Sequence, residues 1–102
     1  MMVSDERQIR VIIEYLNNFP EPQINWPKKE FERVSASRWA TNEILVFVLS
    51  HTDWTVMKSV ECFKKKVSRY ARRMIRYEEV SEIFDTAYEV ACDISDILNA
   101  MM

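Results

Sequence analysis

The chain has 102 residues, three prolines, two cysteines and no glycine, with 48% hydrophobic and 29% charged residues and a formal net charge of -2. That length holds one domain, and the balance of apolar and charged residues is that of a globular protein. The missing glycine argues against primed β-hairpin turns, phosphate-cradling loops and dinucleotide fingerprints together, because each wants a glycine's backbone freedom.

A first helix is expected over 4–18. Ser4 caps it, Asp5 and Glu6 sit in the first turn where the helix dipole favours acids, and Ile9, Ile12, Ile13, Leu16 and Phe19 share one face. Asn17 and Asn18 before Phe19-Pro20 stop it, with an asparagine in place of the usual terminal glycine. All three prolines then fall within 20–27. Residues 19–28 therefore read as a semi-rigid connector, pinned to the domain by Ile24 and Trp26. Residues 28–34 are ambiguous and read as one helical turn around Phe31 and Val34.

A second main helix is expected from Ser35 or Ser37 to Ser50. Trp39, Ala40, Leu45, Val46, Phe47 and Leu49 leave it apolar nearly all round, which makes it the central, most buried element. Ile44–Leu49 also fits a buried strand, but no partner strand exists for it, so helix is preferred. His51-Thr52-Asp53 forms a turn, and Thr52 or Asp53 caps a third helix over roughly 54–76. Its stripe is Val56, Val60, Phe63, Val67, Tyr70 and Met74. A last helix, roughly 79–100, carries Val80, Ile83, Phe84, Ala87, Val90, Ala91, Ile94, Ile97, Leu98 and Met101. The break belongs near 76–79, where bases that suit a helix C-terminus give way to acids that suit an N-terminus, and where the apolar phase slips. One continuous helix from 54 to 100 is the competing arrangement; at about 70 Å it buries both stripes only with a second chain. The fold class expected is all-α, one domain over 1–102, a bundle of four main helices ending in a helical hairpin.

Charge is sorted along that hairpin. Residues 58–76 hold eight of the fourteen basic residues (Lys58, Lys64, Lys65, Lys66, Arg69, Arg72, Arg73 and Arg76), and 78–96 hold seven of the sixteen acids (Glu78, Glu79, Glu82, Asp85, Glu89, Asp93 and Asp96) with no base. Like charges at i, i+3 and i+4 cost about 0.2–0.5 kcal/mol per pair, so neither helix favours this alone. Laying the two side by side offsets the repulsion at their edges, while apolar packing holds the hairpin, since exposed ion pairs are worth about 0–1 kcal/mol each.

Catalytic and metal chemistry find no support. His51 is the one histidine and sits at a turn, in an element apart from Cys62 and its flanking lysines. No Glu-x-x-His, His-Glu-x-x-His or clustered Cys/His spacing occurs, and no cofactor motif. Cys62 and Cys92 read as reduced thiols of a cytoplasmic protein, a bridge between them being the alternative. Asp5, Glu6 and Arg7 interrupt any leader, and the longest wholly apolar run, Ile44–Leu49, is far too short for a membrane span. The function expected is a non-enzymatic binding or regulatory module. It docks an acidic face (Glu82, Asp85, Glu89, Asp93) onto a basic surface of another protein. The alternative is nucleic-acid binding through Lys65, Arg69, Arg72 and Arg76. A homodimer is also expected, held mainly by apolar contacts and so surviving salt of about 1 M.

Overall fold

The computed structural model describes residues 3–73 and 78–101, with side chains placed for 5–73 and 82–101. Four helices follow one another: α1 (Val3–Asn17), α2 (Lys28–Ser50), α3 (Val56–Arg73) and α4 (Glu78–Ala100). Among the described residues there is no strand, and the run 44–49 lies within α2. The architecture is the all-α bundle that the periodicities imply.

α3 and α4 form an antiparallel hairpin. The Ser95 hydroxyl of α4 donates to Glu61 Oε1 of α3 at 2.8 Å, and the rings of Tyr70 and Phe84 stack with centroids 5.7 Å apart. These contacts rule out one continuous helix over 54–100. The break expected near 76–79 falls partly on residues 74–77, Met74 and Arg76 among them, which lie outside the described residues.

One core joins all four helices. It takes Ile12 from α1, then Ala40, Ile44 and Val48 from α2. α3 adds Val56, Val60, Phe63 and Val67, and α4 adds Ala87, Val90, Ala91, Ile94 and Leu98. Each larger side chain stabilises the fold by about 1.5–3 kcal/mol through removal from water. On α3 the expected stripe is buried from Val56 to Val67, but Tyr70 stays 38% exposed.

Several local expectations are corrected. α2 begins at Lys28, well before Ser35 or Ser37. Pro27 is its N-cap, and the Phe31 N–H donates to the Pro27 carbonyl at 3.0 Å. Helical backbone is disfavoured for the residue before a proline, and Trp26 lies outside the helix, so the start falls at the proline. Ser37 lies inside the helix and its hydroxyl donates to the Arg33 carbonyl. α2 does touch each of the other helices, but it is not buried all round: Val46 and Leu49 are more than half exposed and Trp39 nearly so. Its inward face is Ala36, Ala40, Thr41, Ile44 and Val48.

In the connector, Ile24 is 97% exposed and pins nothing. Arg38 does that work instead, donating from Nη1 to the Phe19 carbonyl at 2.9 Å. Ser4 lies within α1 rather than capping it. No described residue has a positive φ, so Asn17 and Asn18 do not end α1 in a left-handed turn. The Asn18 N–H simply closes onto the Glu14 carbonyl at 3.0 Å. At α3, Thr55 is the cap, its hydroxyl accepting the Lys58 N–H at 3.1 Å, where Thr52 or Asp53 was expected.

Ser59 on α3 is buried, and its hydroxyl has no partner among the described residues. A buried, unpaired hydroxyl costs about 1–3 kcal/mol. Ser59→Ala is therefore expected to stabilise the protein by about 1 kcal/mol, read as a higher denaturant midpoint at unchanged slope. A lower midpoint would show that the hydroxyl is needed.

Candidate functional site

The site is a groove between α2 and α4. Its α2 wall is the helix's first turns, which Pro27 sets in place, and carries Lys29, Phe31, Arg33, Ala36 and Trp39. Its α4 wall carries Glu82, Ile83, Asp85, Thr86 and Glu89. The volume is about 710 Å³, within the size range of small-ligand clefts, about 300–1,000 Å³. It is open along one side rather than enclosed. Phe31, Ala36, Trp39 and Ile83 supply apolar surface, and acids stand along the α4 edge.

Helical spacing explains the row of acids. Ala87, Ala91, Ile94 and Leu98 turn into the core. Glu82, Asp85 and Glu89 fall on the opposite side of the helix and are exposed. Each step of three or four residues keeps them on one edge. Lys29 and Arg33 line the same groove, yet the walls do not close on each other. Among the described residues the ion pairs are Lys28–Glu32 at 3.8 Å and Lys64–Glu61 at 3.2 Å. Neither joins α2 to α4, and neither joins the basic face of α3 to the acidic face of α4. Among the described residues the edge pairing expected between the two charged stripes is therefore absent, because both stripes point away from the core.

Asp93, the fourth acid expected at the site, is used otherwise. The Tyr15 hydroxyl donates to Asp93 Oδ2 at 3.2 Å and ties α1 to α4. Burial, reinforced by the charge and hydrogen bond of Asp93, pushes the Tyr15 phenol up to about 12. Of the alternative site, Lys65, Arg69 and Arg72 are exposed on the outer side of α3, and Arg76 lies outside the described residues. Glu61 and Lys64 instead face α4. The Ser95 hydroxyl, with Lys64 beside it, holds the Glu61 carboxyl below its usual range, and Glu61 raises Lys64 in return.

His51 belongs to a packed aromatic corner. Its Nδ1 lies 2.8 Å from the Phe47 carbonyl, and its ring stacks on Trp54 at 4.2 Å. Lys58 covers Trp54 at 4.6 Å. That indole is thus engaged within the chain by both His51 and Lys58. Cys62 and Cys92 are free thiols. Among the described residues no group of three His, Cys, Asp or Glu is placed to hold a metal ion, and no helix is long and apolar enough to cross a membrane.

Sequence reasoning found the acidic edge but missed the groove floor. Phe31 lies in a stretch whose pattern is ambiguous, and the spacing of Trp39 reads as core. The proline before Lys28 was the available signal, since proline favours the entrance to a helix. Comparison with known proteins finds no match: no family model, no curated protein and no solved structure.

The Tyr15–Asp93 bond makes a pH prediction. A phenol whose pKa is raised by folding contributes stability that is full below its unfolded value, near 10, and is lost as pH rises through about 12. Wild type is expected to lose stability across that window, and Tyr15→Phe to lose about 1 kcal/mol at neutral pH while flattening the alkaline fall. Denaturant titrations at pH 7 and through the alkaline range check both; an unchanged alkaline limb in Tyr15→Phe would refute the assignment.

Proposed function

We propose that this protein is a non-enzymatic binding or regulatory module that docks a basic, partly apolar surface of another protein against the α4 edge of the α2–α4 groove. One observation carries the reading. Glu82, Asp85 and Glu89 line up along a groove lined also by Phe31, Trp39 and Ile83, and none has an ion-pair partner among the described residues. Apolar surface supplies the driving force for such a contact, and the charge row supplies orientation and rate. A helix with bases along one edge and large apolar residues along the next has the matching chemistry. A second copy of this chain is one source of a basic surface. A cytoplasmic setting belongs to the same proposal, and the two free thiols suit it.

A second reading rests on Lys65, Arg69 and Arg72, which are exposed on the outer side of α3, without ion pairs among the described residues, beside the half-exposed Tyr70. Such a stripe with an aromatic neighbour suits nucleic-acid phosphates and bases. Mobility shift at low salt with mixed-sequence single and double strands tests it, and no shift removes it.

For the leading reading, a labelled amphipathic peptide with Lys and Arg on one edge and Leu and Phe on the next is titrated by fluorescence anisotropy. The double reversal Asp85→Lys/Glu89→Lys is expected to weaken binding at least about tenfold, or ~1.4 kcal/mol, and to flatten its dependence on salt. Trp39→Ala is expected to weaken binding while leaving the salt dependence in place. Equal binding by wild type and the double reversal would sink the assignment.

A further inference from the structure

Antiparallel contacts fix which residues of α3 and α4 stand level. Glu61 meets Ser95, and Tyr70 meets Phe84. Counting down α3 from Tyr70 and along α4 from Phe84, Lys65 comes level with Glu89 and Arg69 with Asp85; counting from Glu61 and Ser95 displaces each pair by two residues, about 3 Å along the axis. Arg72 and Glu82 follow just beyond. The bases are spaced by four residues and then three, and so are the acids when read backwards. All six side chains are exposed on the outer side of the hairpin, away from Val60, Val67, Ala87 and Ala91. Level as they are, no ion pair joins them within the chain. Neighbouring helix axes lie about 8–10 Å apart, and side chains directed outward from both do not converge.

A two-fold rotation about an axis parallel to these helices keeps every residue at its level and exchanges α3 with α4. Two hairpins set outer face to outer face around that axis place α3 of each copy over α4 of the other, antiparallel. Lys65 then faces Glu89 of the second copy, Arg69 faces Asp85, and Arg72 faces Glu82, each twice. We infer that the acidic row docks a second copy of this chain through the basic row of α3. The inference rests on the acidic row being a docking edge, as proposed above, and names its partner.

Size and composition set the strength. A hairpin face about 27 Å long and about 20 Å wide gives about 1,100 Å² over two copies, at the lower limit of stable interfaces. The apolar stripes of α3 and α4 are already buried in the core, so charge carries most of the contact. Tyr88, 40% exposed and close to Lys64, is the large side chain at the seam. The dimer is therefore weak and salt-sensitive, unlike the salt-resistant apolar dimer that the stripes alone suggested.

The test is sedimentation equilibrium of the full chain from about 10 μM to about 1 mM, in salt of about 20 mM and about 0.5 M. The mass is expected to rise from 12.2 kDa toward twice that value at low salt, and self-association to weaken at least about tenfold at high salt. Asp85→Lys/Glu89→Lys and Lys65→Glu/Arg69→Glu are each expected to stay monomeric alone. Mixed in equal amounts they are expected to recover a dimer, which also shows that both variants are folded. A wild type that stays monomeric throughout overturns the inference, as does a dimer indifferent to both reversals. The peptide titration separates the two claims. If wild type is monomeric but binds the basic peptide, and the acidic reversal weakens that binding, the docking edge stands and only the second copy is wrong. If neither binds, both fall.

Discussion

Burial of one apolar face on α3 and one on α4 is the constraint from which the remaining features follow. Val56, Val60, Phe63 and Val67 leave water together, and so do Ala87, Val90, Ala91, Ile94 and Leu98. The alanines on α4 add little apolar area but let neighbouring backbones come close, so the larger side chains around them reach contact distance. α4 packs against both α3 and α2. Once its apolar residues are committed, helical spacing leaves its acids no place but the outer edge. The open groove has the same origin, since the first turns of α2 lie beside that edge with Phe31 and Trp39 turned toward it.

The absence of glycine shapes the connections as much as the helices. No described residue takes a positive φ, so no helix end among the described residues uses a left-handed turn. The described junctions use other devices. α1 ends with the Asn18 N–H on the Glu14 carbonyl, α2 starts from Pro27, and Thr55 caps α3. Between α2 and α3 the Trp54 N–H returns to the His51 carbonyl at 3.0 Å, and the rings of both residues stack. Aromatic packing thus stiffens a corner that a glycine turn would leave looser. The connector before α2 is fastened by a side chain, Arg38, reaching back to Phe19.

Periodicity made most of this fold legible, and failed where its physics does not reach. The stripes of α3 and α4 are regular, so their existence, their inward faces and their hairpin relation follow from spacing. α2 is different. Its apolar residues occur on several faces, and no phase in the pattern tells Ile44, which is fully buried, from Val46, which is 58% exposed. That distinction comes from which neighbours arrive, and neighbours are tertiary information. The start of α2 was hidden for a local reason: serine is a good cap, so Ser35 and Ser37 drew the boundary away from Pro27. The acidic edge was readable because charge on a helix face is a matter of spacing alone. The groove was not, because it exists only when Phe31 and Trp39 meet Ile83 across two helices.

Sorting like charges onto separate helices does not help this fold. Each like-charged pair at i, i+3 or i+4 costs about 0.2–0.5 kcal/mol, and the offset that side-by-side stripes offer is not taken: Lys65, Arg69 and Arg72 meet none of Glu82, Asp85 and Glu89 within the chain. The charges that do meet at the inner seam belong to another set and lie on α3 alone: Glu61 pairs with Lys64 one turn on and accepts the Ser95 hydroxyl of α4. The core of buried Ile, Val, Phe and Leu holds the hairpin without help from the outer rows. A surface that served stability alone would mix the signs along each helix and gain a few tenths of a kcal/mol per pair instead of losing it. The sorted arrangement therefore gains the isolated chain nothing, and it is this unrecovered cost that the proposed docking of the acidic row draws on.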